Sequence, residues 1–133
     1  MSVPVFPDVE ALTLTFLRAQ LPAGADFGTF VEGDYDGTHP LVVARRIGGF
    51  MRWPALDLAT VDVEVWSVSR EQAHDVAQLV TAALMGTRVT GGPFARVTVV
   101  AGLVYLVDDL TALHRWVMTF QISTRPERAH DGA

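Results

Sequence analysis

Cysteine and lysine are both absent from this 133-residue sequence. Without cysteine there can be no disulfide framework, thiolate metal site or thiol nucleophile. Without lysine there can be neither a Schiff-base lysine nor a P-loop lysine. The ten cationic side chains are all arginine and form no basic block, and the net charge is -5 with a pI of about 5.2. These features argue against a protein that binds nucleic acid through a basic surface.

Charged residues are also scarce. Only 19% of the residues are charged, against 50% that are hydrophobic, and the mean hydropathy is +0.28. Globular proteins carry about 25% charged residues, whereas disordered chains combine low hydrophobicity with high charge. The composition therefore predicts a folded chain, and its length predicts one domain. It also raises the question of which surface takes up so many apolar residues.

No apolar run is long enough to span a membrane. The longest covers residues 97–107, is interrupted by Thr98 and lies between Arg96 and Asp108, whereas a spanning helix needs about 20 residues. Residues 1–5 lack the basic and apolar regions of a signal peptide. We expect a soluble protein that is made in the cytoplasm and has no membrane partner.

Two helices are predicted. The first begins at Pro7 and Asp8, which suit a helix N-terminus, and ends before Pro22. The second begins at Ser69, because residues 69–72 match the S-x-x-Q form of a capping box and an alanine-rich apolar stripe follows at helical spacing. Gly86 is predicted to be the residue that ends this helix.

Five strands are predicted from alternation and apolar runs. Residues 48–58 are predicted to form a loop, because Gly48 and Gly49 break the pattern and Pro54 cannot donate to a strand ladder. The resulting order, α-β-β-β-α-β-β, predicts an α+β fold with a mostly antiparallel sheet and two helices packed on it. One domain is expected over 1–124 and a flexible tail over 125–133. The predicted strands are 27–32, 41–47, 59–68, 95–107 and 113–124.

The sequence contains no recognisable catalytic, cofactor-binding or metal-ligating set of residues. His74 and Asp75 are sequence neighbours, which do not face each other on a helix. Residues 34–37 resemble part of a calcium loop, but Arg45 stands where an EF-hand needs its last carboxylate. We therefore predict no cofactor, no metal and no enzymatic activity.

Two groups of residues remain as candidate surfaces. Large apolar residues in a loop, next to paired arginines in a strand, favour an interface with another subunit or a tube. We expect the loop 48–58 and one of the strands 95–107 or 113–124 to supply such contacts. The interface candidates are Arg45, Arg46, Phe50, Met51, Trp53 and Leu56.

The second group is acidic. Asp62 and Glu64 share one face of a predicted strand, and Asp108 and Asp109 follow another strand. Paired carboxylates can perform acid–base chemistry or bind a divalent cation, but they are also typical of a solvated sheet face and a turn. They are candidates for an acidic lumen or surface face.

The segment order resembles that of the tail terminator, or tail completion, proteins of long-tailed bacteriophages, especially those that infect actinobacteria. The resemblance covers about residues 5–124. It is carried by FPDVEAL at 6–12, PLVVARRIGG at 40–49, Asp57, VDVEVW at 61–66 and the alanine-rich helix after Ser69. No catalytic motif contributes to it.

The resemblance implies a structural role in the virion, at the head-proximal end of the tail, with assembly in the host cytoplasm. Such proteins form a hexameric ring on the tail tube and stop its polymerisation. The implied partners are further copies of the chain, the tail tube protein and a head–tail connector protein. DNA is implied to pass through the lumen without specific binding, and no cofactor is implied.

Two alternatives stay open. One is another neck component, such as an adaptor or a stopper. The other is a small dimeric ligand-binding or enzymatic α+β domain with Asp62, Glu64, Asp108 or His114 in a pocket.

Overall fold

The computed structural model describes residues 2–130, which form two helices and seven strands. A five-stranded sheet has the order β2–β3–β4–β6–β5, in which only the β2–β3 pair is parallel, while β1 and β7 form a separate antiparallel pair. The elements are β1 Ser2–Val5, α1 Val9–Gln20, β2 Asp26–Gly28, β3 Leu41–Arg52, β4 Leu56–Ser67, α2 Arg70–Thr90, β5 Arg96–Val107, β6 His114–Thr124 and β7 Glu127–His130.

The predicted α+β class and the order α-β-β-β-α-β-β are confirmed for the two helices and the five-stranded sheet. The terminal strands β1 and β7 were not predicted. Glu127–His130 belong to the segment predicted to be a tail, and they pair with Ser2–Val5. The flexibility of 125–133 and the division from 1–124 stay predictions, and residues 131–133 lie outside the described residues.

Both helix starts agree with the capping signals. The Asp8 side chain accepts hydrogen bonds from the backbone N–H groups of Glu10 and Ala11, and Ser69 Oγ accepts one from Gln72 at 3.2 Å. The predicted end of α2 at Gly86 is wrong. The helix continues to Thr90 and ends at Gly91, whose φ of 80° only glycine adopts readily. A glycine inside a helix costs only about 1 kcal/mol, so Gly86 does not have to end it.

The predicted loop at 48–58 is also wrong. β3 and β4 form a long antiparallel hairpin that runs through both glycines to a short turn at 53–55. A β-bulge between Arg46 and Gly48, together with the φ of 114° at Gly49, lets the ladder continue. The cis Trp53–Pro54 peptide lies in the turn, where no ladder donor is needed.

The two helices cover one face of the sheet. Val61, Val63 and Val65 of β4 alternate onto that face and are fully buried with Phe120 of β6 and Leu84 of α2. The alternate residues of the same strands lie on the opposite face, called here the helix-free face. A second, small cluster on that face holds Leu41, Val43, Trp66 and Leu113.

Within residues 2–130, neither helix is long and apolar enough to cross a lipid bilayer.

Candidate assembly surfaces

The hairpin tip, defined as residues 50–56, presents large apolar side chains to solvent. Trp53 is 65% exposed, Phe50 and Met51 are about half exposed, and Leu56 is half-buried. The Arg52 guanidinium lies over the Phe50 ring at 5.7 Å from its centroid. Four of the six interface candidates thus lie at the end of the hairpin and not in a loop, with the neighbouring strand residues Phe50 and Met51 on opposite faces of it.

The adjacent residues Arg45 and Arg46 have different hydrogen-bond partners. The side chain of Arg46 donates two hydrogen bonds to Asp57, Nη1 to Oδ2 at 2.7 Å and Nη2 to Oδ1 at 2.8 Å. The hydrogen bond to Asp57 raises the pKa of Arg46. The Arg46 backbone N–H also donates to Glu10 Oε2 at 2.7 Å, which fixes α1 to β3. Arg46 is therefore committed to contacts within its own subunit.

Arg45 lies on the helix-free face, where it and Arg115 of β6 both bind the carboxylate of Glu64. Arg45 Nη2 donates to Glu64 Oε2 at 2.8 Å, while Arg115 Nη1 donates to Glu64 Oε1 at 3.0 Å. Only 8% of the Glu64 side chain is exposed. Arg115 was not among the candidates, although it alternates with the apolar residues of 113–124 and so lies on the polar side of its strand.

The four acidic candidates do not share one surface. Asp62 lies beside Glu64 on the helix-free face and accepts a hydrogen bond from Thr119 Oγ1 at 2.6 Å. Asp108 and Asp109 lie in the connection between β5 and β6, where Asp108 accepts hydrogen bonds from Thr111. Since two arginines balance Glu64, the helix-free face presents little uncompensated negative charge at that point. A lumen role for any of the four stays a prediction.

A second apolar surface lies along β5. This strand ends the sheet and pairs only with β6 among the described residues. Val100 is 60% exposed, Val104 50% and Leu106 40%. Of the two strands expected to supply contacts, β6 lies inside the sheet and β5 lies at its edge. At this edge, a strand that is apolar on both faces leaves several of its apolar side chains exposed.

A cleft of about 680 Å³ lies beside β2 and the following loop. Its lining includes Asp26, Glu32, Asp34 and Asp36. Tyr35 also lines it, and burial together with Asp26 and Asp36 raises the pKa of this phenol to about 12. None of the residues proposed for the dimeric-enzyme alternative (Asp62, Glu64, Asp108 and His114) lines this cleft. Within residues 2–130, no three His, Asp or Glu side chains are arranged to hold a metal ion.

No protein-family model matches this sequence, and no curated protein matches it. Among solved structures, one chain of "Virion of native gene transfer agent (GTA) particle" shares the fold with a TM-score of 0.53 and 16% sequence identity. The match covers 88% of this chain and 94% of that chain. At this identity the likeness establishes a common fold across nearly the whole length of both chains.

Proposed function

We propose that this chain is a structural subunit of a phage or phage-like virion and has no enzymatic activity. The observation that carries the proposal is the fold shared with a chain of a gene transfer agent virion, which extends over nearly all of both chains. The described surfaces also favour assembly over catalysis, because their exposed groups are apolar side chains at the hairpin tip and along β5.

Within that class, we propose the role of tail terminator. The subunit forms a hexameric ring at the head-proximal end of the tail tube, stops its growth and presents a surface to a head–tail connector protein. DNA passes through the lumen without specific binding. The segment order described above supports this role, as does the presence of two different apolar surfaces, since a ring needs heterologous contacts.

We assign the hairpin tip to contacts between subunits or with the tube. The test is Trp53→Asp, with Val89→Asp as the matched control, because Val89 is 90% exposed near the end of α2 and far from the tip in sequence. Both variants should keep the melting temperature of the parent within a few degrees. Trp53→Asp alone should lose ring formation on tubes.

The readout is negative-stain imaging of tubes assembled from the cognate tube protein with and without this chain. Sixfold rings at tube ends, with a narrower distribution of tube lengths, support the terminator role. Tubes of unchanged length with bare ends contradict it, and a ring that binds only the connector assigns the chain to another neck position. A stable dimer that binds a metabolite would overturn the structural role altogether.

A further inference from the structure

Two strand edges of the five-stranded sheet are unpaired among residues 2–130. One is β5, which has β6 on one side and no strand on the other. The other is the distal part of β3, because β2 pairs only with Leu41–Val43. Glu10 occupies the N–H of Arg46, so the free edge of β3 covers residues 47–52, apart from the Gly48 carbonyl oxygen, which accepts a hydrogen bond from Arg46 Nε at 3.1 Å. Such edges present rows of backbone donors and acceptors that a further strand can satisfy.

Both strands contain a register shift, which is one device that protects an edge, but neither free edge contains a proline. Residues 97–107 contain no charged residue and no proline, although these are common means of blocking edge pairing. The register shifts in β5 between Val99 and Val104 leave Val104–Val107 in regular pairing with β6. On β3, Ile47 is 56% exposed and Phe50 51% exposed. Both edges therefore combine free backbone groups with exposed apolar side chains.

The strand directions fit a second copy of this chain. β3 is antiparallel to β4, β4 to β6 and β6 to β5, so β5 and β3 run in opposite directions within one subunit. A second subunit placed beside the first in the same orientation brings its β3 antiparallel to the first subunit's β5. Pairing two β5 strands about a twofold axis would instead leave the β3 edge uncovered.

The side-chain faces agree with this arrangement. Gly48 pairs with Thr60 and Val104 pairs with Val117, and both partners lie on the helix-free face. If Gly48 of one subunit pairs with Val104 of the next, the helix-free face of one subunit therefore continues into the helix-free face of the other.

In this register, and allowing for the register shifts in β5, residues 48–52 of β3 lie opposite residues 104–100 of the neighbouring β5. This pairing stays within the part of the β3 edge that Glu10 leaves free.

We infer that β5 of one subunit pairs antiparallel with residues 47–52 of β3 in the next, so that the sheet continues from subunit to subunit. This inference rests on the proposed ring and names the contact that builds it. The pairing is heterologous: each subunit offers β5 on one side and β3 on the other, an arrangement that can close into a ring.

The absence of cysteine allows a clean cross-linking test. Gly48→Cys and Val104→Cys are made separately and together; a Cβ at Gly48 would meet no other atom within 4 Å. Antiparallel partners lie about 4.5–5.5 Å apart between Cα atoms, within the disulfide range of about 4.4–6.8 Å. After oxidation, a mixture of the two single variants should give cross-linked dimers. The double variant should give a ladder of cross-linked oligomers that ends at the hexamer. Each single variant by itself should stay monomeric.

The matched control is the double variant Gly48→Cys with Leu79→Cys. Leu79 lies on α2 and not on a sheet edge, so this variant should give no ladder. Gly48→Cys with Leu106→Cys detects a register shifted by two residues, and a ladder there supports the edge pairing equally. All variants are oxidised at high concentration and also on assembled tubes, and thermal melts confirm that they fold.

The outcomes separate this inference from the proposed function. Rings on tubes without a cross-link in either register overturn the edge pairing and leave the terminator role standing. Cross-linking of the mixed single variants without tube capping supports the pairing and contradicts the terminator role. Disulfide dimers from Val104→Cys alone indicate a twofold β5 contact and overturn the inference.

Discussion

Arg46 and Asp57 are joined by two parallel hydrogen bonds of 2.7 and 2.8 Å at the point where the β3–β4 hairpin meets α1. Asp57 has only 3% of its side chain exposed, whereas Arg46 has 34%. The guanidinium therefore reaches water, but the carboxylate depends on its partner. This difference predicts unequal effects of removing the two residues.

Arg46→Met should lower the free energy of unfolding by about 3 kcal/mol, because it leaves a buried carboxylate without its partner. Asp57→Asn should cost less, since Arg46 can be hydrated. The double variant Arg46→Met with Asp57→Leu should regain part of the loss. Denaturant unfolding of the three variants measures these values, and equal losses in the two single variants would contradict the argument.

Gly49→Ala should destabilise the subunit by about 3 kcal/mol through backbone strain and overpacking. Gly49 has a φ of +114°, and an added Cβ would collide with the carbonyl oxygen of Leu58. The matched control is Gly48→Ala, where the added Cβ meets no atom within 4 Å and the φ is not in the positive range. The control should change stability by less than about 0.5 kcal/mol. Thermal unfolding compares the pair, and a similar loss in both would be inconsistent with the hairpin geometry.

Tyr35 should titrate near pH 12. Its hydroxyl lies 2.6 Å from the His39 carbonyl and 2.9 Å from the Trp66 carbonyl, and burial is the largest cause of its raised pKa. Tyr35 and Tyr105 are the only tyrosines, and no lysine titrates in this range. In the Tyr105→Phe variant, the phenolate absorbance should therefore rise with a midpoint near pH 12.

The same pKa has a consequence for stability. A folded-state pKa above the unfolded value of about 10 stabilises the fold fully below pH 10, and the contribution disappears as the pH rises toward 12. Tyr35→Phe should remove this dependence and cost about 1 kcal/mol at neutral pH through the lost hydrogen bonding. Denaturation at pH 8 and pH 11 compares the variant with the parent. A parent whose stability does not fall over that interval would refute the prediction.

Trp53 should account for the solvent-accessible tryptophan fluorescence of the free subunit. It is 65% exposed, while Trp66 and Trp116 are each 9% exposed. Acrylamide should quench one of three tryptophans efficiently, and Trp53→Phe should abolish that component. If the hairpin tip is covered on assembly, the quenchable fraction of the parent should fall when tubes are capped. Unchanged quenching in Trp53→Phe would place the exposed indole elsewhere.

Local signals predicted the secondary structure well where one residue type controls the backbone. Asp8 and Ser69 begin the two helices as expected, because N-cap side chains satisfy N–H groups two or three residues away. The end of α2 and the β3–β4 hairpin were predicted wrongly. Gly86 and Gly48 look like breaks in the sequence, but whether a glycine ends an element depends on the φ angle it adopts in the fold.

The sequence by itself determined the α+β class, the order of the elements, the helix starts and an excess of apolar residues. Only the tertiary structure decided where that excess lies. Alternation shows which residues share a face of a strand, but not which strand lies at the sheet edge. The order β2–β3–β4–β6–β5 places β5 at the edge and β6 inside. Long-range pairing likewise decided that Glu64 and Arg46, both read as surface candidates, are engaged by Arg115 and Asp57.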